Sequence, residues 1–422
     1  MNILFVNQSF APDTAATAQH LMDIAEDCVR GGHRVTVLTS QRSYNDPRIH
    51  YPRQETINGI QVRRVPGSAL GRHSQKRRML DAAWTNIGFA WALLRIRRHD
   101  VVVAMTSPPL IGFVAALTTW GRGERFVYWV MDINPDQVIR IGWIRDGSVF
   151  ATLLQLALRT AVRMSDAVIT LDSFMKERLL SYGSSPERTF VIPPWAHSSD
   201  VRRVERSENS FPRRYGLEGK WIVMYAGNLS VCHPIKTLLD AALALRSSPD
   251  ITFVFIGGGG RVNEVREFQQ AHQLENIRIL PYLPRSEIAE SLSAAHLHVI
   301  TMGEPFVGIV HPSKIYNILY LGMPFLFIGP QNSALGHLIR DEGIGSIATH
   351  GDVNRVISLI QDARQLSSEE GRVLTERIRN IGQRFSREKG SGAFQAILAN
   401  MAERPDNRSR LAQSSEEHQK II

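Results

Sequence analysis

Short apolar runs recur along the chain, each bounded by glycine, proline or polar residues, and amphipathic segments lie between them. Runs of that kind read as buried strands and the segments between them as helices. In the first half, residues 2–7 form an apolar strand, 15–30 a helix stopped by Gly31-Gly32, and 34–39 the next strand. Strands at 60–65, 100–105, 125–130, 167–171 and 189–192 then alternate with helices at 77–97, 110–120, 148–164 and 173–182. After Pro193-Pro194 the chain turns polar, and 196–219 reads as a linker. A second series follows, with strands at 221–226, 251–256, 277–280 and 297–301 and helices at 236–246, 261–273 and 286–294. This alternation predicts parallel sheets covered by helices on both faces.

The expected organisation is therefore α/β, with two doubly wound, Rossmann-like domains facing a cleft. The first spans residues 1–195 and the second 220–366. Residues 367–401 read as C-terminal helices that pack back toward the N-terminal domain, and the polar residues 402–422 as a disordered tail. Ligands of such sheets bind beyond the carboxyl ends of the strands. Three loops fall there in the second domain. Gly227-Asn228-Leu229-Ser230 follows its first strand, Gly257 to Gly260 its second, and 305–313 a later one. Together they can wrap a diphosphate with backbone N–H groups.

The segment from Met302 to Pro330 sharpens that expectation. Pro312 and Ser313 precede Lys314, and a short apolar helix runs to Leu321. Serine is a good N-cap, and a helix N-terminus offers free N–H groups and partial positive charge. A lysine in the first turn is misplaced unless an anion such as phosphate sits there. Gly322 stops the helix, Pro324 blocks its continuation, and 325–328 reads as a strand. The plain alternative is an ordinary strand–helix–strand unit with a solvated lysine.

Composition adds limits. A chain of 422 residues is too long for one core. Its 43% hydrophobic and 21% charged residues are those of a globular protein. Cys28 and Cys232 lie far apart without metal-type spacing, which fits a reducing compartment. No signal peptide is visible, and no apolar run reaches the length of a membrane span. The net charge of +9 calls for a partner. Basic clusters at 72–78 and 95–98 flank Trp84, Phe89 and Trp91, and further ones lie at 202–206 and 213–214. Basic residues beside exposed aromatics suit an anionic membrane surface. No nucleic-acid motif appears, so nucleic acid is not expected as a partner. The bland alternative is a set of solvated faces on a basic protein.

At this point the chain resembles a known family. From Met1 to about Asn400 its landmarks match, in order, glycosyltransferases of GT-B fold close to family 4 of the retaining sugar-nucleotide enzymes. The loop NQSFAPDTAATAQH (7–20) resembles the family's first glycine-bearing loop, and GGHRVTVLT (31–39) its GGHxVTVLT strand. MDINPD (131–136) and the Pro-Ser-Lys step within 311–316 resemble a bacterial polysaccharide branch, and VIPPW (191–195) the exit from the first domain. Residues 225–229 and 255–261 resemble the two glycine loops of the donor domain. There are departures. Asn228 and His233 stand where much of the family has Arg and Lys for the diphosphate. Asn317 takes the second glutamate's place, and Ala15 and Ala16 replace first-loop glycines.

The resemblance implies a metal-independent hexosyl- or N-acetylhexosaminyl-transferase that moves a sugar, with retention, from a nucleoside-diphosphate sugar, most simply a UDP-sugar. The acceptor it implies is a glycan or lipid-linked sugar of surface polysaccharide synthesis, met by a cytoplasmic enzyme peripheral on the inner face of the cell membrane. No cofactor is implied, because the nucleotide-sugar is a substrate. The sequence carries no Asp-x-Asp, no His-x-x-x-His and no paired cysteines that would bind a metal. Donor binding falls to Gly227, Asn228, Leu229, Gly259, Gly260 and Arg261, and to His311, Ser313, Lys314 and Asn317. Lys314 is expected to carry most of the charge for the leaving diphosphate, helped by Lys236 or Arg261. Glu304 would bind donor hydroxyls, and Asp132 would orient the acceptor hydroxyl. Asp13, Thr14 and Asp136 complete the acceptor side. For Asp132 and Asp136 the competing reading is a turn that caps the next helix, and for His311 a loop histidine of no function. A sugar-nucleotide epimerase of the same fold, or a non-catalytic scaffold in a glycan assembly complex, are the other functions the pattern allows.

Overall fold

The fold is taken from a computed structural model, which describes residues 1–13, 15–43, 48–67, 75–196 and 201–403. Thr14, the start of the basic cluster at 72–74 and the expected tail at 404–422 lie outside the described residues. The described residues form two compact units, one of those up to 193 together with those from 390 onward, the other of those from 194 to 389.

The first unit holds an eight-stranded sheet. Its strands are β1 (Asn2–Val6), β2 (Arg34–Ser40), β3 (Gln54–Ile57), β4 (Ile60–Val65), β5 (Val101–Ala104), β6 (Arg125–Trp129), β7 (Ala167–Thr170) and β8 (Thr189–Val191). Their order is β3-β4-β2-β1-β5-β6-β7-β8, and every pair except β3–β4 is parallel. The central strands are apolar along their length because helices cover both faces, as all four residues of β5 and of β7 are buried. Helix Val149–Met164 starts where the Ser148 hydroxyl accepts the Ala151 N–H at 3.2 Å.

Two elements depart from the expectation. The antiparallel edge strand β3 was not foreseen. Its residues are alternately half-buried and exposed, so it has no apolar run. The turn into β4 has Asn58 and Gly59 at φ +48° and +81°, the pair a type I′ hairpin requires. A short helix, Asn134–Arg140, also follows β6, with Pro135 in its first turn.

The second unit has a six-stranded, wholly parallel sheet in the order β11-β10-β9-β12-β13-β14. The strands are β9 (Trp221–Ala226), β10 (Ile251–Ile256), β11 (Ile277–Leu280), β12 (Leu297–Thr301), β13 (Phe325–Ile328) and β14 (Ser346–Ala348). The strand order reverses between β9 and β12. In such sheets the reversal opens a crevice beyond the strand ends, where ligands bind.

The polar segment before β9 is more than a connector. Phe211 and Leu217 are buried against Ile222, Met224, Val254 and Ile256 on one face of this sheet. Arg214 pairs with Glu287 and Glu290 at 2.8 Å each. The final helices divide between the units. Helix Ser368–Gly382 packs on Ile315–Leu321, and Gly382 lies so close that a Cβ there would sit 2.6 Å from the Leu319 carbonyl oxygen. From Gly390 onward, helix Arg387–Glu403 belongs to the first unit, where Phe394 is fully buried with its ring 4.9 Å from Trp129 and 6.4 Å from Phe5.

Candidate active site

Three loops of the second unit meet at the carboxyl end of its sheet. The chain leaves β9 through Gly227 at φ +136°, and leaves β10 through Gly257 and Gly259 at φ +135° and +118°. These conformations favour glycine, and so does the space. A Cβ on Gly257 would lie 2.2 Å from the Gly227 carbonyl oxygen, and one on Gly259 2.3 Å from Asn228 Oδ1. The loops interlock through the Leu229 N–H to the Gly258 carbonyl at 2.7 Å and the Arg261 N–H to the Leu229 carbonyl at 3.0 Å. The third loop joins them where the Gly303 N–H donates to the Cys232 carbonyl at 2.9 Å.

The cradle is narrower than expected. The N–H groups of Gly227, Leu229, Gly257 and Arg261 already serve the loops themselves. Among the described residues, those of Gly258, Gly259 and Gly260 make no backbone hydrogen bond. A Cβ on Gly260 would meet nothing within 4 Å, so this backbone is open to approach.

Lys314 enters this junction from the third loop. Its Nζ stands 3.7 Å from the centre of the Tyr225 ring, and a Cβ on Gly227 would lie 3.2 Å from that nitrogen. The stem of Lys314 keeps some exposure, but the ammonium has none and has no hydrogen-bond partner among the described residues. Burial pushes its pKa down to about 7. The π-face of Tyr225 gives partial compensation, while the Tyr225 hydroxyl donates to the Asn228 carbonyl at 2.9 Å. His233 lines the same place. Its pKa falls to about 3, through burial first and the Lys314 charge second, so the imidazole is neutral. With Nδ1 2.7 Å from the Thr301 carbonyl oxygen, the proton sits on Nδ1 and Nε2 is left as an acceptor.

The start of the helix behind Lys314 differs from the expectation. Ser313 does not cap the helix through its side chain. The helix is Ile315–Leu321, Lys314 itself occupies the N-cap position, and no side-chain cap bond forms. Seven residues carry little macrodipole, so the positive charge here comes from the buried ammonium. Gly322 does end the helix at φ +68°, and β13 follows where expected.

The remaining donor-side residues surround this centre. His311 Nε2 is 2.8 Å from the Tyr316 hydroxyl, with the two rings stacked, and Tyr316 packs edge-on against Phe385. Asn317 and Ser313 are half-buried. Glu304 is exposed in a short 3₁₀ turn, Glu304–Phe306. Arg261 pairs with Glu264 at 3.3 Å and the exposed Lys236 with Asp240 at 2.8 Å, so both have carboxylate partners, while among the described residues Lys314 has none. Tyr225 falls within the segment that resembles a glycine loop, but nothing in the sequence assigns its ring a role. Its only signal was an aromatic residue two positions before a strand-end glycine.

The acceptor-side candidates lie in the first unit. Asp136 is buried, ion-paired to Arg178 and hydrogen-bonded by the Tyr182 hydroxyl. Its carboxylate therefore braces the helices after β6 and β7 and is not a free group, nor does it cap a helix. Asp13 Oδ1 accepts from Ser43 Oγ at 2.6 Å and the Tyr51 hydroxyl at 3.2 Å. Asp132 is half-buried just past β6. Among the described residues no cluster of three His, Cys, Asp or Glu could hold a metal.

Two Rossmann-like α/β units in succession are the architecture of the GT-B fold. Residues 16–195 match the family described as Glycosyl transferase 4-like domain, and residues 207–380 match Glycosyl transferases group 1. The chain carries these two glycosyltransferase domains in succession, and it is a glycosyltransferase. It is 25% identical over 307 residues, 72% of this chain and 76% of the other, to a protein of Pseudomonas aeruginosa named as the glycosyltransferase WbjE. It is 22% identical over 382 residues, 86% of this chain and 92% of the other, to one of Escherichia coli (strain K12) named as the colanic acid biosynthesis glycosyl transferase WcaI. Among solved structures, Anabaena Alr3699/HepE in complex with UDP-glucose superposes with a TM-score of 0.68 at 19% identity, over 96% of this chain and all of that one.

Proposed function

We propose that this protein moves a hexosyl or N-acetylhexosaminyl group from a UDP-sugar to a glycan or lipid-linked sugar acceptor, with retention, in building a surface polysaccharide at the inner face of the cell membrane. The observation that carries the donor half is the buried Lys314 ammonium at the junction of the glycine loops, which has no hydrogen-bond partner among the described residues. A buried cation without a counter-charge is unfavourable alone and becomes favourable when an anion arrives. A similar fold crystallised with UDP-glucose and a relative named for colanic acid biosynthesis support the choice of nucleotide and pathway class.

In this reading the bond between the sugar C1 and the β-phosphate oxygen breaks, and the electron pair leaves with the phosphate. Lys314 and the Gly258–Gly260 backbone stabilise the charge that develops there. Neutral His233 leaves the positive field of Lys314 undiminished and offers Nε2 as an acceptor. The acceptor hydroxyl attacks C1 from the side of departure, and its proton passes to the leaving phosphate. Asp132 orients that hydroxyl and Glu304 holds donor hydroxyls. No metal is needed, since Lys314 supplies the charge.

A panel of UDP-, GDP- and dTDP-sugars, tested first for binding by thermal shift and then for transfer followed by NMR at the anomeric centre, decides the matter. Binding of a UDP-sugar and a product with the donor's anomeric configuration are expected. UDP release without any acceptor would make the protein an epimerase, and binding of no sugar nucleotide would make it a scaffold.

A further inference from the structure

The first unit exposes an apolar face that its own core does not use. In helix Gln75–Arg95, Phe89 is fully buried and Leu93 nearly so, which removes Phe89 from the aromatic set expected at the surface. Leu80, Trp84, Ile87, Trp91 and Leu94 recur at steps of four and three, so they share the opposite side, and each is between 57% and 65% exposed. Helix Ile111–Arg122 packs alongside and adds Leu117 and Trp120. Helix Val149–Met164 packs on its other flank and exposes Val149, Phe150, Leu153 and Leu156. Single exposed apolar residues are ordinary, whereas a face continued over three neighbouring helices marks a docking surface.

The charge in these helices is mostly basic. The three helices hold one acidic residue, Asp81, against seven basic ones. Arg97 and Arg98 follow, exposed, just beyond the first helix. The Arg95 guanidinium lies 3.9 Å over the Trp91 ring, so cation and aromatic ring are presented together. Arg122 donates to the carbonyls of Leu93 and Ile96 at 2.6 and 2.9 Å, which locks the first two helices into one platform. An anionic surface matches the exposed Arg95, Arg97 and Arg98 beside the aromatic side chains. Trp and Leu interleaved with Arg are the side chains that settle at the boundary between lipid headgroups and acyl chains. No helix among the described residues is long and apolar enough to cross a membrane, so the fit is to the surface. Residues 404–422 are too polar to cover the face themselves.

We propose that this three-helix face seats the protein on a bilayer rich in anionic phospholipid. The apolar side chains enter the headgroup boundary, and the arginines remain at the phosphate level. The inference does not depend on the donor nucleotide or the reaction, and its test uses no sugar.

The full chain is mixed with phosphatidylcholine vesicles holding 0, 20 or 40 mol% phosphatidylglycerol, and bound protein is measured by sedimentation. Binding should rise with phosphatidylglycerol and weaken with salt. Vesicles with brominated acyl chains should quench the fluorescence of the exposed tryptophans, while Trp129 and Trp195 are buried and report the background. Arg97→Glu with Arg98→Glu should lower partition by about fivefold or more per residue, and Trp84→Ser with Trp91→Ser by about tenfold or more. All four positions are exposed, so thermal midpoints should hold. Equal binding to neutral and anionic vesicles, absence of binding, or binding without quenching would each overturn the proposal. So would a dimer in solution that the tryptophan variant dissolves, which would assign the face to a second copy of the chain.

Discussion

Replacing Lys314 with methionine keeps most of the side-chain volume and removes the charge. The ammonium has no hydrogen-bond partner among the described residues, so no protein acceptor loses a bond, and only the contact with the Tyr225 ring is given up. The unfolded chain holds this proton up to about pH 10.5, whereas the folded chain releases it near pH 7. Across that window the unfolded state binds more protons, so this group makes wild-type stability rise with pH. Its penalty, on the order of a few kcal/mol, is fully present below pH 7 and gone above about 10.5. Lys314→Met should therefore be the more stable protein at pH 6.5, with the difference shrinking by pH 9.5. Activity should move the other way. A charge-assisted contact to phosphate, formed in a water-poor site, contributes roughly 2–4 kcal/mol to the transition state. That corresponds to about a 30- to 1000-fold fall in kcat/KM. Denaturant titrations at the two pH values and steady-state transfer from the identified donor measure both effects. A variant that transfers sugar at the wild-type rate would refute the phosphate assignment, and one less stable than wild type at pH 6.5 would refute the account of the buried charge.

Binding of the sugar nucleotide that the panel identifies should weaken by up to about tenfold per pH unit above pH 7, because the anion favours protonated Lys314; calorimetry in buffers of different ionisation enthalpy should show proton uptake near pH 8.5 that vanishes in Lys314→Met. Gly259→Ala forces a Cβ to within 2.3 Å of Asn228 Oδ1 at φ +118°, and should raise the Kd for the identified sugar nucleotide by about an order of magnitude or lower the thermal midpoint; no change in either would show that the loops are looser than described. Asp136→Asn leaves Arg178 without its counter-charge and should cost about 1–3 kcal/mol of stability with nucleotide affinity intact; loss of nucleotide binding at unchanged stability would place Asp136 elsewhere in the mechanism. Turnover should survive exhaustive EDTA treatment, and activity restored only by Mg²⁺ or Mn²⁺ would expose a carboxylate site.

The parts legible in the sequence were those with local causes. Strands buried on both faces must be apolar throughout, which is why 251–256 and 325–328 stood out and became β10 and β13. Strand β3 sits at an edge with polar side chains and leaves no such trace, and only the Asn58-Gly59 turn announced it. Lys314 was found for a reason that did not survive, since the helix behind it is too short to act as a dipole. What makes it special is Tyr225, 89 positions earlier, brought beneath it by the pairing of β9 with β12. The engagement of Asp136 was hidden for the same reason, because Arg178 and Tyr182 lie 42 and 46 residues downstream. Contacts made across a sheet leave no periodicity along the chain.

The seat of Phe394 on Phe5 and Trp129 has a consequence for how the protein is made. The first unit is interrupted by the whole of the second, and its core is closed by a helix near the far end of the chain. On a ribosome adding roughly 5–20 residues per second, some 10–40 s separate Pro193 from Phe394. During that interval the newborn domain presents a bare patch of ring surface at its sheet. The second unit, continuous from Pro194 to Lys389, needs nothing that comes later and can fold first. Ending the chain after residue 193 would therefore yield an unfinished domain, and ending it before residue 387 would uncover the same patch.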